Sequence, residues 1–173
     1  MCDDGGASDT QLASTSNDSI MTEKDNKKSK SWELSEKQDE MTDKMTYYAS
    51  IISDNRVKLE FPYNTPLGSE LKITIRKSST KGTDVYMQIS RGQMLSSDFG
   101  NNKVSVRFDD AQPIKYSTSE SSTGESEVLF IRNTQDFIKR AKTAKRIKVE
   151  VPFFEQGNHI FSYELDEPLK WEH

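Results

Sequence analysis

The sequence has little cysteine and little histidine. Its 173 residues include one cysteine and two histidines. A single cysteine excludes a disulfide within the chain, and so few cysteines and histidines exclude the usual zinc sites. No apolar run approaches the roughly 20 residues that a membrane-spanning helix needs. We therefore expect no metal, no cofactor and no transmembrane helix.

A basic surface is also missing. The net charge is −4 and the isoelectric point is about 5.3, whereas nucleic-acid binding needs clustered cations that displace counterions. We therefore expect no nucleic-acid partner. The most basic stretch, residues 139–148, contains Lys139 and Arg140. It is typical of a solvated helix face, and an anionic surface such as phospholipid headgroups or glycans is the alternative.

Residues 1–31 contain no aromatic residue, although Phe, Trp and Tyr make up 9% of the chain. Ser, Asp, Asn, Lys and Gly dominate this segment, and its few apolar residues follow no period. Such a segment buries too little apolar surface to offset the entropy lost on ordering. The composition predicts a disordered tether over residues 1–31 and a single β-rich domain over residues 32–173.

The lone cysteine, Cys2, stands at the start of this tail. A bacterial lipoprotein begins with such a cysteine after its signal peptide is removed, and lipidation of the cysteine anchors the chain. We therefore expect a lipid on Cys2, a membrane anchor, and a location in the bacterial cell envelope, either periplasmic or surface-exposed. The alternative is a cytosolic protein with an ordinary tail and an incidental cysteine.

Alternation of apolar and polar residues dominates the rest of the chain. Five segments alternate most clearly, and they are centred on Leu59, Ile73, Met87, Val106 and Val149. A period of two predicts strands with one buried and one solvated face, which is typical of antiparallel sheets. Weaker strand candidates are residues 47–53, 113–117, 127–131 and 158–165. Residues 53–56 are predicted to close a hairpin between residues 47–52 and 57–61.

One segment has helical periodicity instead. Over residues 134–145, Phe137, Ile138, Ala141 and Ala144 fall on one face of a helix. A single amphipathic helix among about nine strands leaves no alternation of strands and helices. We predict a mainly β fold, an antiparallel β-sandwich or flattened barrel with one helix.

Few residues suggest a chemical site. Asp109 and Asp110 follow the strand that contains Arg107, and paired carboxylates bind calcium or act in acid–base chemistry. No series of further oxygen ligands follows them, so the pattern favours a turn. His159 has no second histidine or cysteine nearby in the domain, and we interpret it as structural. The Ser/Thr/Glu-rich residues 117–126 are predicted to form an exposed loop, either a recognition loop or a plain hairpin tip.

Several short stretches read together resemble one family. They are Trp32 followed by Met41-Thr42-Asp43, the strand Val-Ser-Val-Arg-Phe-Asp at 104–109, the helix Phe-Ile-Lys-Arg-Ala at 137–141, and Leu169-Lys170-Trp171. Together they resemble the type VI secretion accessory proteins of the VasI type. The resemblance implies a secreted or periplasmic β-rich domain. It matches Arg107 and Asp109 to family positions without giving either a role.

These observations favour a non-catalytic lipoprotein of the bacterial cell envelope, a binding or structural module whose partner is an envelope protein. The candidate interaction residues are Arg107, Asp109, Lys139 and Arg140. Two alternatives stay open. One is a hydrolase of envelope polymers that uses Asp109 with a second carboxylate. The other is an inhibitor or immunity-type protein that acts through residues 117–126.

Overall fold

The computed structural model describes residues 30–98 and 100–173, and it has two antiparallel sheets and one helix. The elements in chain order are β1 (Glu33–Gln38), β2 (Met45–Ile52), β3 (Leu71–Ser78), β4 (Gly82–Ile89), β5 (Val104–Phe108), β6 (Ile114–Tyr116), β7 (Thr118–Glu120), β8 (Val128–Ile131), α1 (Thr134–Ala141), β9 (Arg146–Phe153) and β10 (Gly157–Glu164). A six-stranded sheet has the order β1-β2-β3-β4-β8-β7, and a four-stranded sheet has the order β10-β9-β5-β6. Among the described residues neither sheet closes on itself, so the fold is a sandwich and the flattened-barrel alternative is wrong.

The core lies between the two sheets because each strand turns its apolar side chains inward. Ile73, Met87 and Leu129 of the larger sheet are fully buried, as are Val106 and Val149 of the smaller one. The main-chain polar groups of these strands are paired in the ladders. Burial of alternate side chains therefore explains why the period of two predicted these strands correctly.

Helix α1 is held to the sandwich by its apolar face. Phe137 and Ala141 are fully buried, and the ring of Phe137 packs edge-on against Phe108 at a centroid distance of 5.4 Å. The helix ends at Ala141, four residues before the predicted end at 145. Ala144 is still buried, so the apolar pattern continues in the turn after the helix, where periodicity does not show that the helix has ended.

The strand predicted over residues 57–61 is not formed. Only an isolated bridge joins Val57 to Ser69. Leu59 is buried, but Phe61 is 79% exposed, so the alternation in this segment does not mark a buried face. The predicted hairpin is wrong for the same reason, and β2 pairs instead with β1 and β3.

Strand β1 was not predicted, because none of its six side chains is buried. A strand that contributes nothing to a core has no apolar alternation to reveal it.

Residues 117–126 are also more ordered than expected. Strand β7 occupies the start of that segment and pairs with β8, so only its remainder forms an exposed turn.

One edge of the smaller sheet is covered by a loop from the larger sheet. The side-chain amide of Asn55 donates to the carbonyl of Ile160 at 2.9 Å and accepts from the N–H of Ser162 at 2.8 Å. Next to it, the N–H of Asp54 donates to the carbonyl of Ser162 at 2.7 Å, and its carboxylate accepts from the N–H of Glu164 at 2.6 Å. Two side chains and one peptide group thus take the place of a neighbouring strand along β10.

Candidate functional site

The outer face of the six-stranded sheet carries a row of large side chains. Tyr48 on β2 lies opposite Arg76 on β3, and Tyr86 on β4 lies opposite Phe130 on β8. All four are partly exposed. We call Tyr48, Arg76, Tyr86 and Phe130 the aromatic row. The solvated face of an antiparallel sheet is normally polar, so aromatic rings at these positions need another explanation than the core.

Direct contacts hold three members of the aromatic row in place. The guanidinium of Arg76 lies 5.6 Å from the centre of the Tyr86 ring, and the rings of Tyr86 and Phe130 are 5.4 Å apart. Arg76 also donates from its Nε to the carboxylate of Asp84 at 2.8 Å. Thr74, beneath the row, is only 4% exposed. Arg76, Tyr86 and Phe130 are therefore ordered before any partner binds, which lowers the entropy cost of binding.

The sequence contains a signal for this row in the phase of its aromatic residues. Tyr86 falls on the polar phase of the alternating segment around Met87, where an aromatic side chain has no core to enter. Tyr48 and Phe130 have the same phase on their strands, as the register shows. What sequence periodicity does not supply is the register that makes these side chains neighbours, so none of the four was among the predicted site residues.

A groove lies at the edge of the same sheet, and Tyr48 of the aromatic row is part of its lining. This groove of about 330 Å³ runs between β1, β2 and the C-terminal segment, and its lining includes Leu34, Tyr47 and Trp171. The ring of His173 stacks on Tyr47 at 3.8 Å and meets Trp171 edge-on at 5.2 Å. Tyr47, Trp171 and His173 therefore already contact one another in the groove.

Arg107 and Asp109 lie at the other sheet. Arg107 is exposed on β5 directly opposite Lys148 of β9, and its Nη2 is 3.9 Å from Oδ1 of Asp110. Asp109 sits in the predicted turn with φ of 49°. Its Oδ1 accepts from the main-chain N–H groups of Lys145 and Arg146 at 3.0 and 2.9 Å. Asp109 thus joins the end of β5 to the start of β9.

Lys139 and Arg140 lie on α1, and no hydrogen bond or ion pair between described residues links them to Arg107 or Asp109. Lys139 is exposed. The Nε of Arg140 donates to Asp136 at 2.9 Å, and the hydroxyl of Tyr116 donates to the same oxygen at 2.6 Å. Both hydrogen bonds lower the pKa of Asp136, and the bond from Arg140 has the larger effect. Burial, together with the bond to Asp136, raises the pKa of Tyr116. Arg140 therefore belongs to a network that ties the helix to β6.

The remaining sequence candidates fall in three places. His159 packs edge-on against Phe153 at a ring distance of 5.6 Å. In residues 117–126, the part after β7 is a turn closed by a hydrogen bond from the N–H of Gly124 to the carbonyl of Ser121 at 2.9 Å. Cys2 and the predicted tether up to residue 29 lie outside the described residues.

Within residues 30–98 and 100–173, no group of three or more Asp, Glu, His or Cys side chains is placed to hold a metal ion. Over the same residues, the helix is neither long enough nor apolar enough to cross a membrane. Comparisons with protein-family models, with curated proteins and with solved structures gave no match. The resemblance to the VasI-type proteins therefore stays a prediction without support from these comparisons.

Proposed function

We propose that this protein is a non-catalytic binding module of a bacterial cell envelope, and that it binds a protein partner through the aromatic row. The observation that carries the proposal is a set of two tyrosines, a phenylalanine and an arginine on a sheet face that does not face the core, in which Arg76, Tyr86 and Phe130 are in mutual contact. Aromatic residues and arginine are the residue types most enriched where proteins bind each other.

The size and chemistry of the row support a protein partner. It spans four adjacent strands, β2, β3, β4 and β8, which is about 14 Å at the usual spacing between strands. Ile52, 43% exposed, lies on the same outer face of β2 and adds apolar surface at its margin. The ion pair of Arg76 with Asp84 supplies both a donor and an acceptor beside the rings, so a partner can bury apolar area and keep its polar groups paired.

The non-catalytic part of the proposal draws on Asp109. This carboxylate was the one that the hydrolase alternative needed, and its Oδ1 already accepts two main-chain hydrogen bonds. The envelope location draws on the composition of residues 1–31 and on Cys2. It is therefore a separate proposal with its own test.

Site-specific photo-crosslinking in the source cells tests the binding face. A photoreactive amino acid replaces Gln88, which is exposed on the outer face of β4 beside Tyr86. We expect a discrete crosslinked protein that disappears when Tyr86→Ala and Arg76→Ala are added. The matched control carries the same amino acid at Lys148, exposed on the outer face of the other sheet, and should not give that product.

Two results would contradict the proposal. One is the absence of any discrete product from position 88 while the protein is folded and present at its normal level. The other is the same product from positions 88 and 148, because a protein that crosslinks equally to both faces is captured by random collision and not by binding to the aromatic row. Circular dichroism of the purified Tyr86→Ala/Arg76→Ala variant checks that the fold survives these surface changes.

A further inference from the structure

The outer edge of β1 differs from the other sheet edges. The edge strands β6 and β7 have three residues each, and β10 is covered by Asp54 and Asn55. Strand β1 has six residues, and within the described part of the chain only β2 pairs with it. Proteins usually shorten, cover or pair such edges, because their free main-chain groups recruit other strands.

The ladder shows which main-chain groups are open. Beyond β1, the N–H of Asp39 donates to the carbonyl of Lys44 at 2.9 Å. Hydrogen-bonded pairs alternate along an antiparallel ladder, so the odd-numbered residues of β1 turn their N–H and C=O groups toward β2. Leu34, Glu36 and Gln38 turn theirs outward. Any added strand must therefore bond to these even-numbered residues.

We propose that two copies of this protein form a two-fold symmetric dimer in which their β1 strands pair antiparallel about Ser35. This register places Leu34 opposite the partner's Glu36, so the outward-facing residues of each copy bond to those of the other. It also keeps the outer faces of both sheets on the same side, because a two-fold axis perpendicular to a sheet preserves its faces.

Charge complementarity selects this register. Pairing about Ser35 sets Glu33 opposite the partner's Lys37, and symmetry produces this pair twice. These are non-hydrogen-bonded positions, where the side chains of opposite residues come closest. Pairing about Glu36 would set two glutamates against each other, and pairing about Leu34 would leave both Glu33 and Lys37 opposite serines. Pairing also covers Leu34, which is 54% exposed in the single chain.

Cysteine crosslinking tests the register. In a Cys2→Ser background, Ser35→Cys places two thiols opposite each other on the axis, with Cα atoms about 4.5 Å apart, within the range that a disulfide spans. We expect a disulfide-linked dimer under mild oxidation. Lys37→Cys is the matched control on the same face of the same strand. Its two thiols would be offset by four residues, about 13 Å, and should not crosslink.

Charge reversal tests the energetic argument. Glu33→Lys sets like charges opposite each other at both symmetric sites, and we expect the dimer dissociation constant to rise about tenfold or more. Adding Lys37→Glu exchanges the two charges and should restore dimerisation. Sedimentation equilibrium measures the dimer dissociation constant of the unsubstituted protein, of Glu33→Lys and of Glu33→Lys/Lys37→Glu. Since β1 side chains are exposed, thermal unfolding of the three proteins should be closely similar at concentrations below the dimer dissociation constant, where dimerisation adds no stability.

The outcomes are distinct. A monomer at the highest soluble concentration overturns the dimer, and a dimer whose Ser35→Cys form does not crosslink, or whose Lys37→Cys form does, overturns the register. A dimer that Glu33→Lys leaves intact overturns the charge argument. None of these results bears on the photo-crosslinking from position 88, so failure here and failure of the proposed function are separable.

Discussion

Removal of the Asn55 side chain tests how the smaller sheet is protected. The amide of Asn55 makes two hydrogen bonds, to the carbonyl of Ile160 and from the N–H of Ser162. A typical hydrogen bond contributes about 0.5–1.5 kcal/mol net to the free energy of unfolding. We expect Asn55→Ala to lower that free energy by about 2 kcal/mol, because both bonds are lost and both main-chain groups need new partners.

Urea denaturation followed by circular dichroism measures this loss. With a slope of about 2 kcal/mol per molar urea, the midpoint should fall by about 1 M. The matched control is Asn158→Ala on the same strand. Asn158 is exposed and donates one bond, 3.0 Å long, to Glu150, so its removal should change the free energy by less than about 0.5 kcal/mol.

Amide hydrogen exchange locates the effect. In Asn55→Ala, the N–H of Ser162 should lose protection first, because its acceptor is the side chain removed. The reasoning fails if Asn55→Ala and Asn158→Ala unfold at the same urea concentration, since water would then satisfy the β10 edge as well as the asparagine does. It also fails if the midpoint falls while exchange at Ser162 is unchanged.

Two further predictions concern the helix and the tail. Tyr116→Phe should lower the free energy of unfolding by about 1–2 kcal/mol in urea denaturation, because the ionised Asp136 loses a charge-assisted hydrogen bond. Since folding lowers the pKa of Asp136 from 3.8, this contribution is complete above the unfolded pKa and is lost as pH falls through the lower folded pKa, so stability of the variant should fall less steeply in acid. The N-terminal peptide of protein isolated from its source cells should carry a diacyl or triacyl modification on Cys2 by mass spectrometry, and an unmodified Cys2 would remove the basis for the envelope location.

Much of the fold follows from the sequence because most strands contribute one face to the core. The segments around Ile73, Met87, Val106 and Val149 alternate, and each forms a strand with its apolar face buried. The helix was predicted by the same argument with a different period. A helix or strand that buries one face needs apolar residues at regular spacing, so such elements are predictable from the sequence.

The sequence predictions are wrong where a segment alternates without being a strand, or is a strand without burying side chains. The segment around Leu59 alternates without forming a strand, because beyond one bridge, from Val57 to Ser69, its main chain bonds to turn and side-chain groups such as Thr65 and Gln156 and not to a neighbouring strand. Strand β1 forms without alternation, because pairing with β2 needs only its main chain. Local sequence does not distinguish these two cases. Whether each segment becomes a strand depends on its pairing partner, Ser69 for the Leu59 segment and β2 for β1, and the tertiary fold determines that partner.

The candidate site was missed for a related reason. Arg107, Asp109, Lys139 and Arg140 were selected by residue type and by nearness along the chain, and the structure uses Asp109 and Arg140 to join elements. The aromatic row combines residues from four strands whose proximity depends on register. Periodicity identifies the solvated phase of each strand, but cross-strand register decides which solvated residues meet.

The two proposals concern the same sheet and therefore have a joint consequence. If β1 strands pair about Ser35, the two six-stranded sheets become one continuous sheet, and both aromatic rows lie on the same side of it. A partner that presents two copies of its own binding surface would then engage both rows, and the second contact would form at the high effective concentration that the first one sets. A modest surface such as the aromatic row could in this way support firm binding. Loss of the dimer should weaken attachment to a bivalent partner while leaving each row's own contacts unchanged.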